Sequence, residues 1–290
     1  MLTSAHIGLS FECNMKCVHC FSKNKPNIKK ENSDYEKIVN ALSDAGVIYL
    51  IYTHGEPLLN KSFYYVANLA KLNNFYQILM TNGWFLQNDT IIEKLIDSGI
   101  NRISISLDSS NPMEHDKNRG IKGAWDKAIN SLKLLSSHKI NRGISFTIRE
   151  ENIDQIDDLI SLSKELKVNF ISLTCLRKDN KIHIFSNWDN YIIKMKEIIM
   201  KFNNDQNINI FLHDYRLIPI INELYSNKLL SNNYYEELID MNSCHSKKNS
   251  ITIDPNGDVY GCNFVYVPLG NIHKKSLKEI LENDKCIYQC

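Results

Sequence analysis

The chain contains 290 residues, 43% of them hydrophobic, which is enough to bury one large core and a small appendage. Its formal net charge of +1 gives no reason to expect a nucleic acid or a membrane as a partner. No apolar run approaches the roughly 20 residues of a membrane-spanning helix, and the N-terminus lacks a secretory signal. We therefore expect a cytoplasmic protein, in which eight cysteines favour metal or redox chemistry over disulfides.

Strands and helices are predicted to alternate along most of the chain. Apolar, β-branched runs indicate six strands, near residues 5–11, 47–53, 75–80, 102–107, 142–148 and 168–174. The intervening stretches have helical periodicity, and Ser33 with Glu36, or Asn152 with Gln155, marks a helix start. Six βα units predict a parallel sheet, either doubly wound or curved into a barrel. Functional groups are expected at the carboxyl ends of its strands.

The first predicted strand is followed by three closely spaced cysteines. Cys13, Cys17 and Cys20 have the spacing C-x3-C-x2-C and precede the aromatic Phe21. Three thiolates on one loop can bind three irons of a 4Fe-4S cube and leave the fourth iron open to a reactive ligand. The alternative is a structural zinc site, although such sites usually bring two pairs of ligands and close all four positions.

Polar residues also follow the next three predicted strands. They are Gly55, Glu56 and Pro57 after the second strand, Asn82 after the third, and Ser106 and Asp108 at the end of the fourth. Glu56 offers acceptor oxygens to an ammonium group, and Ser106 and Asp108 share a face because side chains alternate along a strand. Each segment, taken alone, also fits an ordinary turn.

A second cysteine cluster occupies the last fifty residues. Its members are Cys244, Cys262, Cys286 and Cys290. Between the first two, Asn256-Gly257 lies between apolar runs and predicts a β-hairpin, with a short helix near residues 276–280. Four cysteines suit either a 4Fe-4S cluster or a zinc ion.

Cys175 belongs to neither cluster and follows the sixth predicted strand. A thiol at that end of a barrel could return a hydrogen atom to a substrate radical, whereas a buried cysteine is more often a small core residue. Residues 186–240 have helical patterns, and we expect them to pack across the barrel.

The first cysteine motif and Gly55-Glu56-Pro57 resemble the radical S-adenosylmethionine (radical SAM) superfamily. The C-terminal cysteines resemble the auxiliary-cluster extension called SPASM and its shorter, one-cluster form, called twitch. The resemblance implies a partial (β/α)6 TIM-type barrel over residues 1–185, a helical linker over 186–240, and a twitch/SPASM-like domain with a β-hairpin and helix over 241–290.

The resemblance also implies two 4Fe-4S clusters. Cys13, Cys17 and Cys20 would hold the cluster that binds SAM, and the four C-terminal cysteines would hold the auxiliary one. The residues implied to bind SAM are His19, Gly55, Glu56, Pro57, Asn82, Ser106, Asp108 and Arg119. Arg119 is a candidate for the SAM carboxylate, since a guanidinium matches a carboxylate in a planar fork.

A radical SAM enzyme would cleave SAM reductively and abstract hydrogen from its substrate, with electrons from a donor such as flavodoxin or ferredoxin. Our first hypothesis for the substrate is a ribosomally made peptide, as in many relatives with auxiliary clusters. The chain begins with the first strand, without a leader-binding domain, which weakens that hypothesis. The second hypothesis is oxidation or epimerisation of a small metabolite such as an amino sugar. The third is a non-catalytic metal-binding module.

Overall fold

The structure is a computed structural model that describes residues 2–282 with several internal gaps. The gaps fall at residues 21, 23–24, 27–29, 179–180, 183–184, 204–207, 244–248 and 263–264. Only the backbone is described at 177–178, 181–182 and 265–266. No helix within the described ranges is long and apolar enough to cross a bilayer.

Six strands alternate with helices in the first part of the chain, and all six were predicted from the sequence. The strands are β1 Ser4–Gly8, β2 Tyr49–Thr53, β3 Tyr76–Thr81, β4 Ile100–Ser106, β5 Asn141–Ile148 and β6 Phe170–Cys175. The helices are α1 Asn32–Asp44, α2 Phe63–Leu72, α3 Asp89–Asp97, α4 Pro112–Arg119, α5 Ala124–Leu135 and α6 Ile156–Glu165.

The second part of the chain mixes helices with shorter strands. Its elements are β7 Arg177–Lys178, β8 Lys181–Ile182, α7 Trp188–Phe202, β9 Asn209–His213, α8 Ile218–Ser226, α9 Asn232–Asn242, β10 Ser250–Ile253, β11 Asp258–Cys262, β12 Val265–Asn271 and α10 Leu277–Glu282. Strands β7 and β8 form a separate two-stranded ribbon, and the other strands join one sheet.

The sheet is mostly parallel and has the order β12-β11-β10-β1-β2-β3-β4-β5-β6-β9. Crossovers between parallel strands of one sheet are as a rule right-handed, which puts successive connecting helices on the same face. On that face the Tyr52 ring packs on Phe63 of α2 at 5.2 Å, and Gln77 Nε2 donates to the Ala67 carbonyl at 3.0 Å. Within the described residues β9 and β12 do not pair, so the barrel is open. The predicted partial barrel is confirmed.

Strand β9 lies inside residues 186–240, the segment whose periodicity predicted helices. It pairs in parallel with β6 and extends the sheet by one strand. Its buried residues Ile210 and Leu212 alternate with Asn209, Phe211 and His213, which is the pattern of a half-buried strand. A run of five residues between two helices is too short for its periodicity to stand out from theirs. The prediction of helix over this whole segment was wrong at β9.

Two predicted helix starts differ from the observed ones. The capping box of α1 is formed by Glu31 and Asp34, and Glu31 N donates to Asp34 Oδ2 at 3.1 Å, where Ser33 and Glu36 were expected. Asn152 does not cap α6, which begins at Ile156 after a 3-10 turn. Cap preferences of about 1 kcal/mol are too small to fix a helix start to a single residue.

The C-terminal hairpin is joined to the barrel through strand pairing. Strand β10 pairs in parallel with β1, from Ser4 opposite Ser250 to Ile7 opposite Ile253. Strand β11 then returns antiparallel to β10, and Gly257 in the connecting turn has φ +84°, as the Asn-Gly sequence predicted. The extension therefore continues the sheet of the barrel.

Candidate active site

The cysteine loop after β1 is fixed at its start by the turn that follows β2. Gly55 has φ +53°, and a Cβ there would lie 2.3 Å from the Glu12 carbonyl oxygen and 2.6 Å from that of Ser10. The neighbouring Glu56 N–H donates to the same Glu12 carbonyl at 2.7 Å. Only glycine permits this approach, so the loop before Cys13 rests directly on the β2 turn.

The middle of the same loop is held by the end of α4. Lys16 N donates to the Arg119 carbonyl at 3.0 Å, and Val18 N donates to the Asn118 carbonyl at 2.9 Å. Gly120 has φ +67°, and a Cβ there would lie 2.6 Å from the Lys16 oxygen. The loop is thus clamped between two glycines that lie on different βα units.

Hydrogen-bond donors surround two of the three sulfur atoms. Cys13 Sγ accepts from Met15 N at 3.4 Å and from Asn82 Nδ2 at 3.9 Å, and Cys17 Sγ accepts from Arg119 Nη1 at 3.7 Å. Burial raises the pKa of the Cys13 thiol to about 11, and the Met15 N–H opposes that rise. Donors around sulfur suit thiolates that bind iron.

The three cysteines of the loop do not form a compact site for a single metal ion. Among the described residues, no three His, Cys, Asp or Glu side chains converge on one point that a metal ion could occupy. A 4Fe-4S cluster needs no such convergence, because each thiolate binds a different iron. Cys17 is buried and Cys20 half-buried, and both pack in a small apolar cluster with Met15 and Ala124.

Glu56 is buried at the end of β2 with its acceptor capacity largely used. Its carboxylate accepts from the Thr81 hydroxyl at 2.7 Å, Asn82 N at 2.8 Å and Leu58 N at 3.2 Å. Burial raises the pKa of Glu56 to about 7, and these three donors partly oppose the rise. Pro57 begins the short 3-10 turn that follows. The carboxylate ties β2 to the end of β3 and lies beside Asn82.

His54 directly precedes Gly55 in the turn after β2. Its φ is +64°, so the histidine adopts the left-handed conformation that glycine adopts readily. The ring is 4% exposed and packs edge-on against Phe11 at 5.7 Å. Burial lowers the pKa of His54 to about 3, which keeps the imidazole neutral. Packing of the ring offsets the backbone cost of histidine at this turn.

Asp108 and Arg119, both predicted to bind SAM, are paired with each other. Arg119 Nη2 lies 2.9 Å from Asp108 Oδ2, and His19 Nε2 lies 3.6 Å from the same oxygen. Burial opposes ionisation of Asp108, but Arg119 and His19 lower its pKa below the usual value. The Thr147 N–H adds a hydrogen bond of 3.3 Å. Arg119 therefore links Asp108 to the sulfur of Cys17.

Two residues that the sequence did not single out as functional complete this region. His115 is fully buried, and its Nδ1 accepts from Asp108 N at 3.1 Å. Asn152 Nδ2 donates to the carbonyls of Asp108 at 3.1 Å and Thr147 at 3.0 Å. Together they fix the backbone after β4. No sequence signal predicted these contacts, because they depend on how the residues after β4 and β5 and helix α4 pack together.

Ser106 lies on the inner face of the sheet, opposite the helices. The strand register places Ser106 beside Ser145 and Ser145 beside Ser172, so three serines form a row across β4, β5 and β6. A second row, Thr147 beside Thr174, lies two residues further toward the carboxyl ends. These rows give the inner face a polar surface next to the cysteine loop.

Cys175 faces the helices instead. It is 2% exposed and shares its side of β6 with the core residues Ile171 and Leu173. Its Sγ accepts from Arg216 Nη2 at 3.0 Å, and Arg216 also pairs with Asp214 at 2.6 Å. This placement favours the core interpretation, and the hydrogen-donor role stays a prediction.

Of the C-terminal cysteines, Cys262 ends β11 and is half-buried. Cys244, Cys286 and Cys290 lie outside the described residues, as does Phe21. The ligand set of an auxiliary cluster therefore stays a prediction.

Two protein-family models match the chain. The model described as Radical SAM superfamily matches residues 8–163. The chain belongs to the radical SAM superfamily. The model described as SPASM, an iron-sulfur cluster-binding domain, matches residues 244–288. The predicted radical SAM enzyme with a SPASM-type extension is confirmed, and members of both families bind 4Fe-4S clusters.

Relatives of this radical SAM chain differ in what they make. Fe-coproporphyrin III synthase of Methanosarcina barkeri is 30% identical over 56% of this chain and 41% of its own. A GTP 3′,8-cyclase of Clostridium botulinum is 31% identical over 77% and 67%, respectively. The Bacillus subtilis antilisterial bacteriocin subtilosin biosynthesis protein AlbA is 26% identical over 96% and 59%. The chain thus spans less than half of the first relative and about 60% of AlbA.

A solved structure shares the fold over nearly the whole chain. Streptococcus suis SuiB, bound to its precursor peptide SuiA, has a TM-score of 0.74 and 18% sequence identity. The match covers 98% of this chain and 65% of SuiB. The open barrel and its C-terminal extension are therefore one known architecture.

We expect Gly55→Ala to displace the cysteine loop. The added Cβ would meet the Glu12 carbonyl at 2.3 Å, and the left-handed φ alone costs about 1–2 kcal/mol. Iron content after anaerobic reconstitution should fall well below that of wild type. Gly46→Ala is the matched control, because Gly46 has φ +79° with no atom within 4 Å. Equal iron content in the two variants would contradict the clamp.

We expect Glu56 to make stability depend on pH. Its folded-state pKa of about 7 lies above the usual 4.5, so folding favours the protonated acid. The contribution of Glu56 to the free energy of unfolding is complete below its pKa in the unfolded chain. It is lost as the pH rises through the pKa of about 7 in the folded protein. Relative to Glu56→Gln, wild type should lose up to about 3 kcal/mol of unfolding free energy across this range. Denaturant unfolding near pH 5 and pH 8 measures the difference, which a pH-independent result would refute.

Proposed function

We propose that this radical SAM enzyme modifies a ribosomally synthesised peptide, by a crosslink, a thioether bond or an epimerisation. The similarity to AlbA carries the proposal, because it covers 96% of the chain and therefore includes both the barrel and the SPASM residues. The fold shared with SuiB, whose structure contains a precursor peptide, agrees with it. An open barrel also suits a substrate that is too long to be enclosed.

We further propose two 4Fe-4S clusters. The first would be held by Cys13, Cys17 and Cys20, and the auxiliary one by Cys244, Cys262, Cys286 and Cys290. When bound, the first cluster and SAM supply a 5′-deoxyadenosyl radical that removes a hydrogen atom from the substrate. The electron would come from a small donor protein such as flavodoxin or ferredoxin.

The residues around the cysteine loop have distinct parts in this proposal. Glu56, buried beside Asn82, accepts hydrogen bonds from the amino group of SAM. Gly55 and Pro57 shape the turn that positions it. Asp108 orients Arg119 toward Cys17, and its Oδ2 lies 3.6 Å from Nε2 of His19, whose ring contacts adenine in this proposal.

The inner face beside the loop is the proposed place of the substrate. Ser106, Ser145 and Ser172 give it a row of hydroxyl groups, which can donate to and accept from a peptide backbone. The helices cover the opposite face, so a substrate reaches the strand ends from this side.

The alternative is a small polar metabolite such as an amino sugar, oxidised or epimerised at a carbon. The names of the synthase and the cyclase support it, because their products are small molecules. The hydroxyl rows of the inner face would suit such a substrate as well. The match to both relatives covers less of the chain than the match to AlbA does.

Substrate identity can be tested with the anaerobically reconstituted enzyme, SAM and a chemical reductant. We expect formation of 5′-deoxyadenosine, together with a mass change in a peptide encoded next to this protein. Cys13→Ala should abolish both, because the first cluster is then incomplete. If such peptides stay unchanged while an amino sugar is oxidised, the peptide proposal fails and the alternative holds.

Iron content tests the two clusters. Wild type should bind about eight irons, and the triple variant Cys13→Ala, Cys17→Ala, Cys20→Ala about four. Cys262→Ala should likewise lower the iron content toward four, because it removes an auxiliary ligand. Cys175→Ala is the matched control and should keep the full content, since its sulfur contacts Arg216. A wild type with only four irons would rule out the second cluster.

A further inference from the structure

Arg149 is a buried cation at the carboxyl end of β5 whose donors are only partly used. It is 6% exposed and follows the last residue of the strand, Ile148. Among the described residues, its Nε and Nη2 atoms are buried without a hydrogen-bond partner. Its backbone is fixed, because Arg149 N donates to Asn152 Oδ1 at 2.7 Å.

The one ion pair of Arg149 that the described residues provide is weak. Glu151 Oε2 lies 3.9 Å from Nη1, and the Glu151 side chain is 76% exposed. An exposed partner at that distance adds little, while a buried guanidinium with unpaired N–H groups costs several times more. The arrangement is therefore incomplete without an anion at the other edge of the guanidinium.

Arg149 lies in the same group of side chains as the cysteine loop. The carboxylate of Asp108 lies 2.9 Å from Arg119 Nη2 and 3.6 Å from Nε2 of His19, the residue before Cys20. Asn152, which holds Arg149, also donates to the Asp108 carbonyl. Arg149 is thus placed at the strand ends beside the proposed SAM site.

Arg119 and Arg149 differ in what they have left to bind. The Nη2 of Arg119 is paired with Asp108 at 2.9 Å, and its Nη1 donates to Cys17 Sγ at 3.7 Å, so that among the described residues only its Nε is buried without a hydrogen-bond partner. In Arg149 the two unpartnered atoms, Nε and Nη2, lie on one edge of the guanidinium. That edge can donate two parallel hydrogen bonds to one carboxylate.

We propose that Arg149 binds a carboxylate of a ligand seated over the cysteine loop, through its Nε and Nη2 atoms. The carboxylate has two possible sources, the methionine part of SAM and an acidic group of the substrate. The inference rests on the proposed site but not on the identity of the product, because ligand binding can be measured without turnover.

The test compares Arg149→Gln and Arg149→Lys with wild type in anaerobically reconstituted protein. Equilibrium dialysis measures the affinity for SAM and for decarboxylated SAM, which has the sulfonium and amino groups but no carboxylate. Arg142→Lys is the matched control, because Arg142 lies at the opposite end of β5 and its Nη2 donates to the Lys167 carbonyl at 2.7 Å.

If SAM is the source, Arg149→Gln should weaken SAM binding at least tenfold, and leave the binding of decarboxylated SAM within about twofold of wild type. Arg149→Lys should also weaken SAM, since an ammonium lacks the fork. This variant retains the charge, so it tests the proposal even if the glutamine variant does not fold. Arg142→Lys should bind both ligands as wild type does.

If the substrate is the source, both variants should bind SAM as wild type does. Succinate, used as a dicarboxylate probe, should then raise the thermal unfolding midpoint of the SAM-loaded wild type but not of Arg149→Gln. The proposal is overturned if SAM affinity is unchanged and succinate has the same effect on wild type and on both variants. If wild-type protein binds SAM but modifies no peptide, that result counts against the proposed function and not against the role of Arg149.

Discussion

The whole site depends on how closely two glycines let the cysteine loop approach its neighbours. Gly55 and Gly120 each place a backbone carbonyl of the loop where a Cβ would otherwise be, at 2.3 Å and 2.6 Å. One glycine follows β2 and the other follows α4, so the loop is fixed from two sides. A flexible loop would lose conformational entropy when three thiolates gather around a cluster. The clamp orders the loop during folding, so less entropy is lost when the cluster binds.

Buried charges next to the loop form a chain in which each member fixes the next. Arg119 offsets the burial of Asp108 and holds the pKa of that carboxyl below its usual value, and Arg119 in turn donates to Cys17. Burying such a pair is favourable only when the geometry supplies further hydrogen bonds, as Thr147 does here. The pair is therefore better suited to hold the loop in one position than to bind a ligand through both of its partners.

Sequence patterns predicted the features that are determined by residues close together in the chain. A short stretch of sequence was enough to predict the cysteine loop, each of the six strands and the turn at Gly257. The row formed by Ser106 with serines on β5 and β6 could not be predicted, because alternation along a strand does not fix the register between strands.

The contacts that escaped prediction depend on tertiary packing and leave no pattern in the local sequence. Arg119 was expected to face a ligand, and nothing near it in the sequence indicates that its partner is Asp108. No sequence pattern marks Arg149, and only the structure shows that it is buried beside Asn152. The prediction of helix at β9 was wrong for a related reason. Its five residues form a strand because they pair with β6, more than because of their own sequence pattern.

The pairing of β1 with β10 connects the two cysteine regions mechanically. Strand β1 leads into the first cysteine loop, and β10 leads through the hairpin to Cys262. At the end of β1, a Cβ on Gly8 would lie 2.5 Å from Pro255 Cδ, so the hairpin turn packs directly against the strand that positions the loop. Because parallel strands in one sheet cannot slip without turning every side chain to the wrong face, the register of β1 fixes both regions together. The SPASM extension is therefore part of the barrel sheet. A change that displaces one cysteine region should also displace the other, because both are joined through the pairing of β1 with β10.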